Sequence, residues 1–157
     1  MDRRSFVRVA ALSGIGISLA PQLSFGSSFS SKKARIGFIG VGGRGRSHLR
    51  NILNRKDVIV PAFCDIDPIA NEKAQELIVK AGYAKATVYD KNEHSFEQML
   101  ERDDLDGVII STPWLWHTKM AAATMKAGKY AGVEVSAANT LQECWDLVNA
   151  YEETGVP

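Results

Sequence analysis

Residues 34–45, Ala-Arg-Ile-Gly-Phe-Ile-Gly-Val-Gly-Gly-Arg-Gly, narrow the folds open to this chain more than any other stretch. Ala34 to Ile39 is a short apolar run with strand character that passes directly into Gly40-x-Gly42-x-x-Gly45. A strand ending in glycines at this spacing turns sharply into a helix whose first backbone N–H groups face outward, an arrangement suited to a pyrophosphate. Each glycine has its own reason. Gly40 permits the tight turn, Gly42 leaves room for a ligand against the backbone, and Gly45 lets the helix lie close to the sheet. Glycine-rich turns are common, so the motif gains meaning only from the strand and helix repeat around it.

That repeat follows. After a helical stretch from Ser47 to Arg55 comes a second apolar run, Val58 to Cys64, which ends on Asp65-Ile66-Asp67. Asp65 lies 25 residues after Gly40, where a carboxylate at the end of a second strand would accept hydrogen bonds from a ribose diol. Such a carboxylate repels a 2′-phosphate and so favours NAD over NADP, although Arg44 is near enough in sequence to keep NADP open. The alternative for Asp65 is an ordinary loop residue. Asp67, just before Pro68, reads as the N-cap of the next helix.

Pro68 to Ala81 carries Ala70, Ala74, Leu77, Ile78 and Ala81 on one helical stripe. Thr87 to Tyr89 is a short third strand, and Ser95, followed three residues later by Gln98, opens a helix bearing Phe96, Met99 and Leu100. Asp106 to Thr112 is the fourth strand, stopped by Pro113. His117 to Lys126 is a helix closed by Gly128. Tyr130 to Val135 is the fifth strand, and Thr140 caps a last helix to about Glu153 with Leu141, Cys144, Trp145, Leu147, Val148 and Tyr151 on its apolar face. Trp145 and both cysteines are expected in the core. Gly155-Val156-Pro157 falls where a further strand would begin.

Alternating strands and helices, with continuous apolar strands, imply an α/β fold: a doubly wound parallel sheet covered on both faces, here lacking its last strand. Ligands in such sheets bind beyond the C-terminal ends of the strands. Those ends are Gly42 to Arg44, Asp65, Ser111 to His117, and Glu134-Val135. Trp114 and Trp116 read either as indole planes near a ligand or as closures of the core edge. His117 reads as a site residue or a helix cap, and Glu134 as a site residue or a solvated strand-end charge.

The first 31 residues read separately from the domain at 32–157. Asp2-Arg3-Arg4-Ser5-Phe6-Val7-Arg8 resembles a twin-arginine export motif, and Val9 to Ala20 is a weakly apolar run too short to span a bilayer comfortably. This predicts periplasmic delivery, with no stable membrane anchor; a plain N-terminal extension is the alternative. The chain's net charge is +1, with Arg3, Arg4 and Arg8 in the leader, so the remainder is near neutral and no nucleic-acid partner is implied. Two cysteines and three histidines lie too far apart in sequence for a disulfide framework or a metal site.

Gly40-Val-Gly-Gly-Arg-Gly45 after strand one, Cys64-Asp-Ile-Asp67, Ser111-Thr-Pro-Trp-Leu-Trp-His117 and Ala127-Gly-Lys-Tyr-Ala-Gly-Val-Glu-Val135 together resemble the Gfo/Idh/MocA family of sugar and polyol oxidoreductases. The resemblance runs from Lys32 to Pro157 and covers that family's cofactor domain; its substrate domain would follow Pro157. Most of the family ends the fifth strand in Glu-Lys-Pro, and here the residues are Glu134-Val135-Ser136. This variant resembles instead the NAD-dependent glycoside hydrolases of family 109, of the α-N-acetylgalactosaminidase type. The resemblance implies NAD contacts at Gly43, Arg44, Asp65, Trp114, Leu115, Trp116, His117, Glu134 and Val135. It also implies a mechanism in which NAD⁺ accepts a hydride from C3 of the sugar, the C1 group is eliminated, water adds and the hydride returns. The catalytic acid and base would lie beyond Pro157, so none is assigned here. A small glycoside is the implied substrate, and a homo-oligomer of the full-length protein stays open. An NAD-dependent sugar or polyol dehydrogenase and a non-catalytic nucleotide-binding module are the alternatives.

Overall fold

The computed structural model describes residues 33–157; Asp2 to Arg8, which reads as an export motif, and the run from Val9 to Ala20 lie outside them. The elements in chain order are β1 (Ala34–Ile39), α1 (Gly43–Leu53), β2 (Val58–Ile59), β3 (Ala62–Cys64), α2 (Pro68–Lys80), β4 (Thr87–Tyr89) and α3 (Ser95–Leu100). They continue with β5 (Gly107–Ile110), a 3₁₀ turn (Trp114–Trp116), α4 (His117–Lys126), β6 (Tyr130–Val133) and α5 (Leu141–Thr154). The sheet order is β4-β3-β1-β5-β6, with β2 beside the start of β1. Every pairing is parallel.

The expected second strand is split into β2 and β3 at Val60-Pro61. Proline has no N–H to give to the ladder and so interrupts it, while its carbonyl still accepts from Thr87 N at 2.9 Å. In β1, Phe38 pairs with Phe63 and Ile39 with both Cys64 and Ile110. Successive side chains alternate across the sheet, so Phe38 packs with Val41, Leu49, Phe63, Ala74 and Ile78 while Ile39 joins Phe96, Met99, Val108, Ile110 and Met120. Two apolar cores result, one on each face. The chain moves from β1 out to β4, then returns to the other side of β1 as β5. That reversal opens a crevice at the strand ends between β1 and β5.

Caps follow the sequence in two of three places. The Asp67 side chain accepts from Ile69 N at 2.9 Å, and Thr140 and Glu143 form a reciprocal capping box. At the third, the helix opens on Ser95 and buries Phe96, Met99 and Leu100 as expected, but the Ser95 hydroxyl accepts from Asn92 N at 2.9 Å instead of capping α3, and His94 holds the cap position.

The last helix corrects two expectations. Trp145 is 55% exposed rather than in the core, and Cys144 is exposed while Cys64 is buried. The helical period is as expected, but α5 turns only a narrow side, Leu147 and Ala150, inward, and Ala150 is its one buried residue. At the outer edge of β6, Ala131 N donates to Pro157 O at 2.9 Å, a single backbone hydrogen bond with no strand formed beyond β6 among the described residues. Among the described residues no helix is long and apolar enough to cross a membrane.

Candidate functional site

The turn from β1 into α1 is fixed by backbone crowding. Gly40 has φ +83°, and a Cβ there would lie 2.8 Å from the carbonyl of Ser111. A Cβ on Gly45 would sit 2.0 Å from Gly40 O, which no side chain can accept. Around Gly42 and Gly43 the reverse holds, because a Cβ at either would meet nothing within 4 Å. Two glycines therefore serve the fold, and two leave space beside the helix end. Gly42 gives α1 no side-chain cap, and its first turn holds no acidic residue. The first N–H groups and the positive end of the helix are left for an anion.

Asp65, at the end of β3, is tied to this turn. Its Oδ2 accepts from Val41 N at 2.7 Å and its Oδ1 from Asp67 N at 3.0 Å. Asn71, buried in the first turn of α2, donates from Nδ2 to Asp65 O at 2.9 Å. A carboxylate has lone pairs to spare after two such bonds, so ribose hydroxyls still find acceptors there. Gly40, Gly42, Asp65, Ile66, Ser111 and Trp116 line a cavity of about 240 Å³ at the crevice. Ser111 Oγ, on its wall, is buried with no hydrogen-bond partner among the described residues. Sequence reading placed Ser111 at a strand end but gave it no role; an orphaned hydroxyl becomes visible only once β5 is set against β1.

Beyond β5, Trp114 and Leu115 are 64% and 83% exposed. Trp116 turns inward, edge-on to Phe96 with ring centroids 6.4 Å apart, and Lys119 Nζ lies 4.9 Å from its ring centre. It closes the core edge and lines the cavity at once. His117 is 1% exposed, with Nδ1 2.8 Å from Ser136 O and Nε2 2.7 Å from Thr112 O. Its ring thus holds the ends of β5 and β6 together.

Glu134 follows β6 and extends its ladder through Glu134 N to Ile110 O at 3.0 Å. Its Oε1 accepts from Arg44 Nε at 2.8 Å and faces His48 Nε2 as well. The Arg44 guanidinium first, then His48, pulls the Glu134 carboxyl down to about 2, so it is ionised at neutral pH. His48 is a residue that sequence reading missed; its one signal was its position four residues after Arg44 on the same helix face. Val135, beside it, is 78% exposed. The structure thus gathers Gly40, Gly42, Gly43, Arg44, Gly45, Asp65 and Glu134 at the C-terminal end of the sheet, with Trp114, Leu115 and Val135 projecting into solvent. Among the described residues no cluster of His, Cys, Asp and Glu could hold a metal.

Residues 34–157 match the oxidoreductase family with an NAD-binding Rossmann fold. The chain belongs to this Gfo/Idh/MocA family. It is 42% identical over 161 residues to a glycosyl hydrolase family 109 protein of Solibacter usitatus, covering 98% of this chain and 37% of that protein. It is 41% identical over 171 residues to an α-N-acetylgalactosaminidase of Tannerella forsythia, covering 98% of this chain and 36% of the enzyme. The chain thus spans little more than a third of these relatives' length. Among solved structures, the WlbA dehydrogenase of Bordetella pertussis in complex with NADH and UDP-GlcNAcA matches with a TM-score of 0.67 and 25% identity, over 80% of this chain and 35% of that one. A myo-inositol 2-dehydrogenase of Lactobacillus plantarum shares the fold with a TM-score of 0.66 at 24% identity, over 78% of this chain and 34% of that one.

The family's cofactor is NAD, and the residues present fit it. Open space at Gly42 and Gly43, an uncapped helix start, a pinned acid at Asp65 and the unpartnered Ser111 hydroxyl supply the surfaces and donors that a dinucleotide needs.

Proposed function

We propose that the full-length protein is an NAD-dependent glycoside hydrolase acting on α-N-acetylgalactosaminides, and that this chain is its NAD-binding part. The observation that carries this reading is the end of β6, where Glu134-Val135-Ser136 lacks the lysine of the dehydrogenase pattern while Glu134 bonds Arg44 at the start of α1. Relatives bearing the glycosidase name at 41% and 42% identity support it. Bound NAD supplies a hydride acceptor that is restored within each turnover. This chain's residues do the holding. The α1 start and Arg44 take the pyrophosphate, Asp65 the ribose, and His117 keeps the β5 and β6 ends in register at the reacting end. Oxidation of the sugar at C3 acidifies its C2 proton, the C1 group leaves by elimination, and water adds before the ketone is reduced again. This route needs no flanking carboxylate pair.

The test uses full-length enzyme and a chromogenic α-N-acetylgalactosaminide. Chromophore release is expected only when NAD⁺ is bound, and in D₂O the released sugar should carry deuterium at C2, because that proton leaves and is replaced. Accumulating NADH without glycoside cleavage would move the protein to the dehydrogenases.

The proposal extends to export. Arg3 and Arg4 are read as a twin-arginine signal, so the NAD domain would fold and load its cofactor in the cytoplasm before periplasmic delivery. Changing both to Lys should hold the full-length protein in the cytoplasm with its fold intact; unchanged delivery would show that this pair is not the signal.

A further inference from the structure

We propose that Glu134 is a positioning residue for the NAD pyrophosphate, acting through Arg44 and with His48 as its second anchor; this rests on the NAD reading of the site given above. Arg44 lies directly after the open Gly42-Gly43 edge, in the first turn of α1, and its side chain is 67% exposed. An exposed ion pair normally contributes little, since two long side chains must be immobilised to make it. This one has a fixed end. Glu134 is only 16% exposed, its backbone is locked to β5 through Ile110, and His48, one helical turn after Arg44, faces the same carboxylate oxygen.

With Nε engaged, the guanidinium plane is set, and both terminal amino groups remain without a hydrogen bond among the described residues. Those amino groups are the donors suited to phosphate oxygens. An ionised carboxylate near an anion-binding helix start is unfavourable for the anion by charge alone. Its presence there is explained if it orients the cation beside it.

A bare charge and a positioning role differ in sign, and a direct NAD contact differs from positioning in whether it depends on Arg44. If Glu134 acts only as a charge, Glu134→Gln removes a repulsion and NAD⁺ binds the full-length protein more tightly. If it positions Arg44, the same change weakens NAD⁺ by about threefold to tenfold in calorimetric titration. Arg44→Ala should then weaken binding in the wild type but add less than about twofold in the Glu134→Gln background, since the two losses are one loss. Glu134→Asp keeps the charge and shortens the reach, so it too should weaken NAD⁺; this second variant serves if the first folds poorly, which cofactor-free melting reveals. Equal or tighter binding in the Gln variant, or full affinity in the Asp variant, would overturn the proposal. Absence of NAD⁺ binding by the wild type would be a different failure, that of the NAD reading itself, and would remove the proposal with it.

Discussion

At the turn between β1 and α1, residue identity is dictated from within the domain, because Gly40 and Gly45 stand against backbone that cannot move aside. Along α5 the opposite holds. Of its fourteen residues only Ala150 is buried, and Leu141, Trp145 and Tyr151 are 75%, 55% and 51% exposed. Nothing in residues 33–157 calls for a tryptophan at 145. One region is closed by its own packing, and the other shows an apolar stripe that this sheet does not use. The comparison separates residues that the packing of this domain requires from residues that it leaves exposed.

The largest effect should fall within the turn itself, between two glycines three residues apart. Gly45→Ala places a methyl 2.0 Å from Gly40 O. Backbone must shift, and a loss of about 3 kcal/mol is expected in denaturant unfolding, together with NAD⁺ binding. Gly42→Ala should behave differently. Gly42 has φ −61° and open space around its missing Cβ, so folding stability should change by less than about 1 kcal/mol while NAD⁺ affinity falls. Equal destabilisation by both substitutions would mean that the open space at Gly42 belongs to the fold and not to a ligand.

The same contrast explains what was legible in the sequence. The strand and helix alternation, the parallel pairing and the crevice could be read because apolar runs and glycine spacing act over a few residues. Asp67 and Thr140 could be read as caps for the same reason. Ser95 could not, because Asn92 N takes its hydroxyl in a tight turn that propensity does not announce. Val58 to Cys64 reads as one strand, and Pro61 splits it into β2 and β3. The Arg44–Glu134–His48 cluster joins positions 90 and 86 residues apart, and no local pattern encodes it. Trp145 shows the remaining limit: periodicity tells which residues share a helix face, not what that face meets.

The smallest effect tests that last point. Trp145 is 55% exposed, so within the segment 33–157 a change to Ser removes little packing and should cost less than about 0.5 kcal/mol in denaturant unfolding. If a longer polypeptide covers this stripe in the full-length protein, the same substitution there should cost about 1–2 kcal/mol, the range for uncovering part of a large aromatic surface. The two measurements must be made as a pair, because the difference between them carries the information. An equally small cost in both would show that the stripe stays open to solvent in the whole protein. A large cost in the segment alone would show that α5 packs more closely against α4 than Leu147 and Ala150 account for, and that the contrast between the two regions is weaker than their exposure implies.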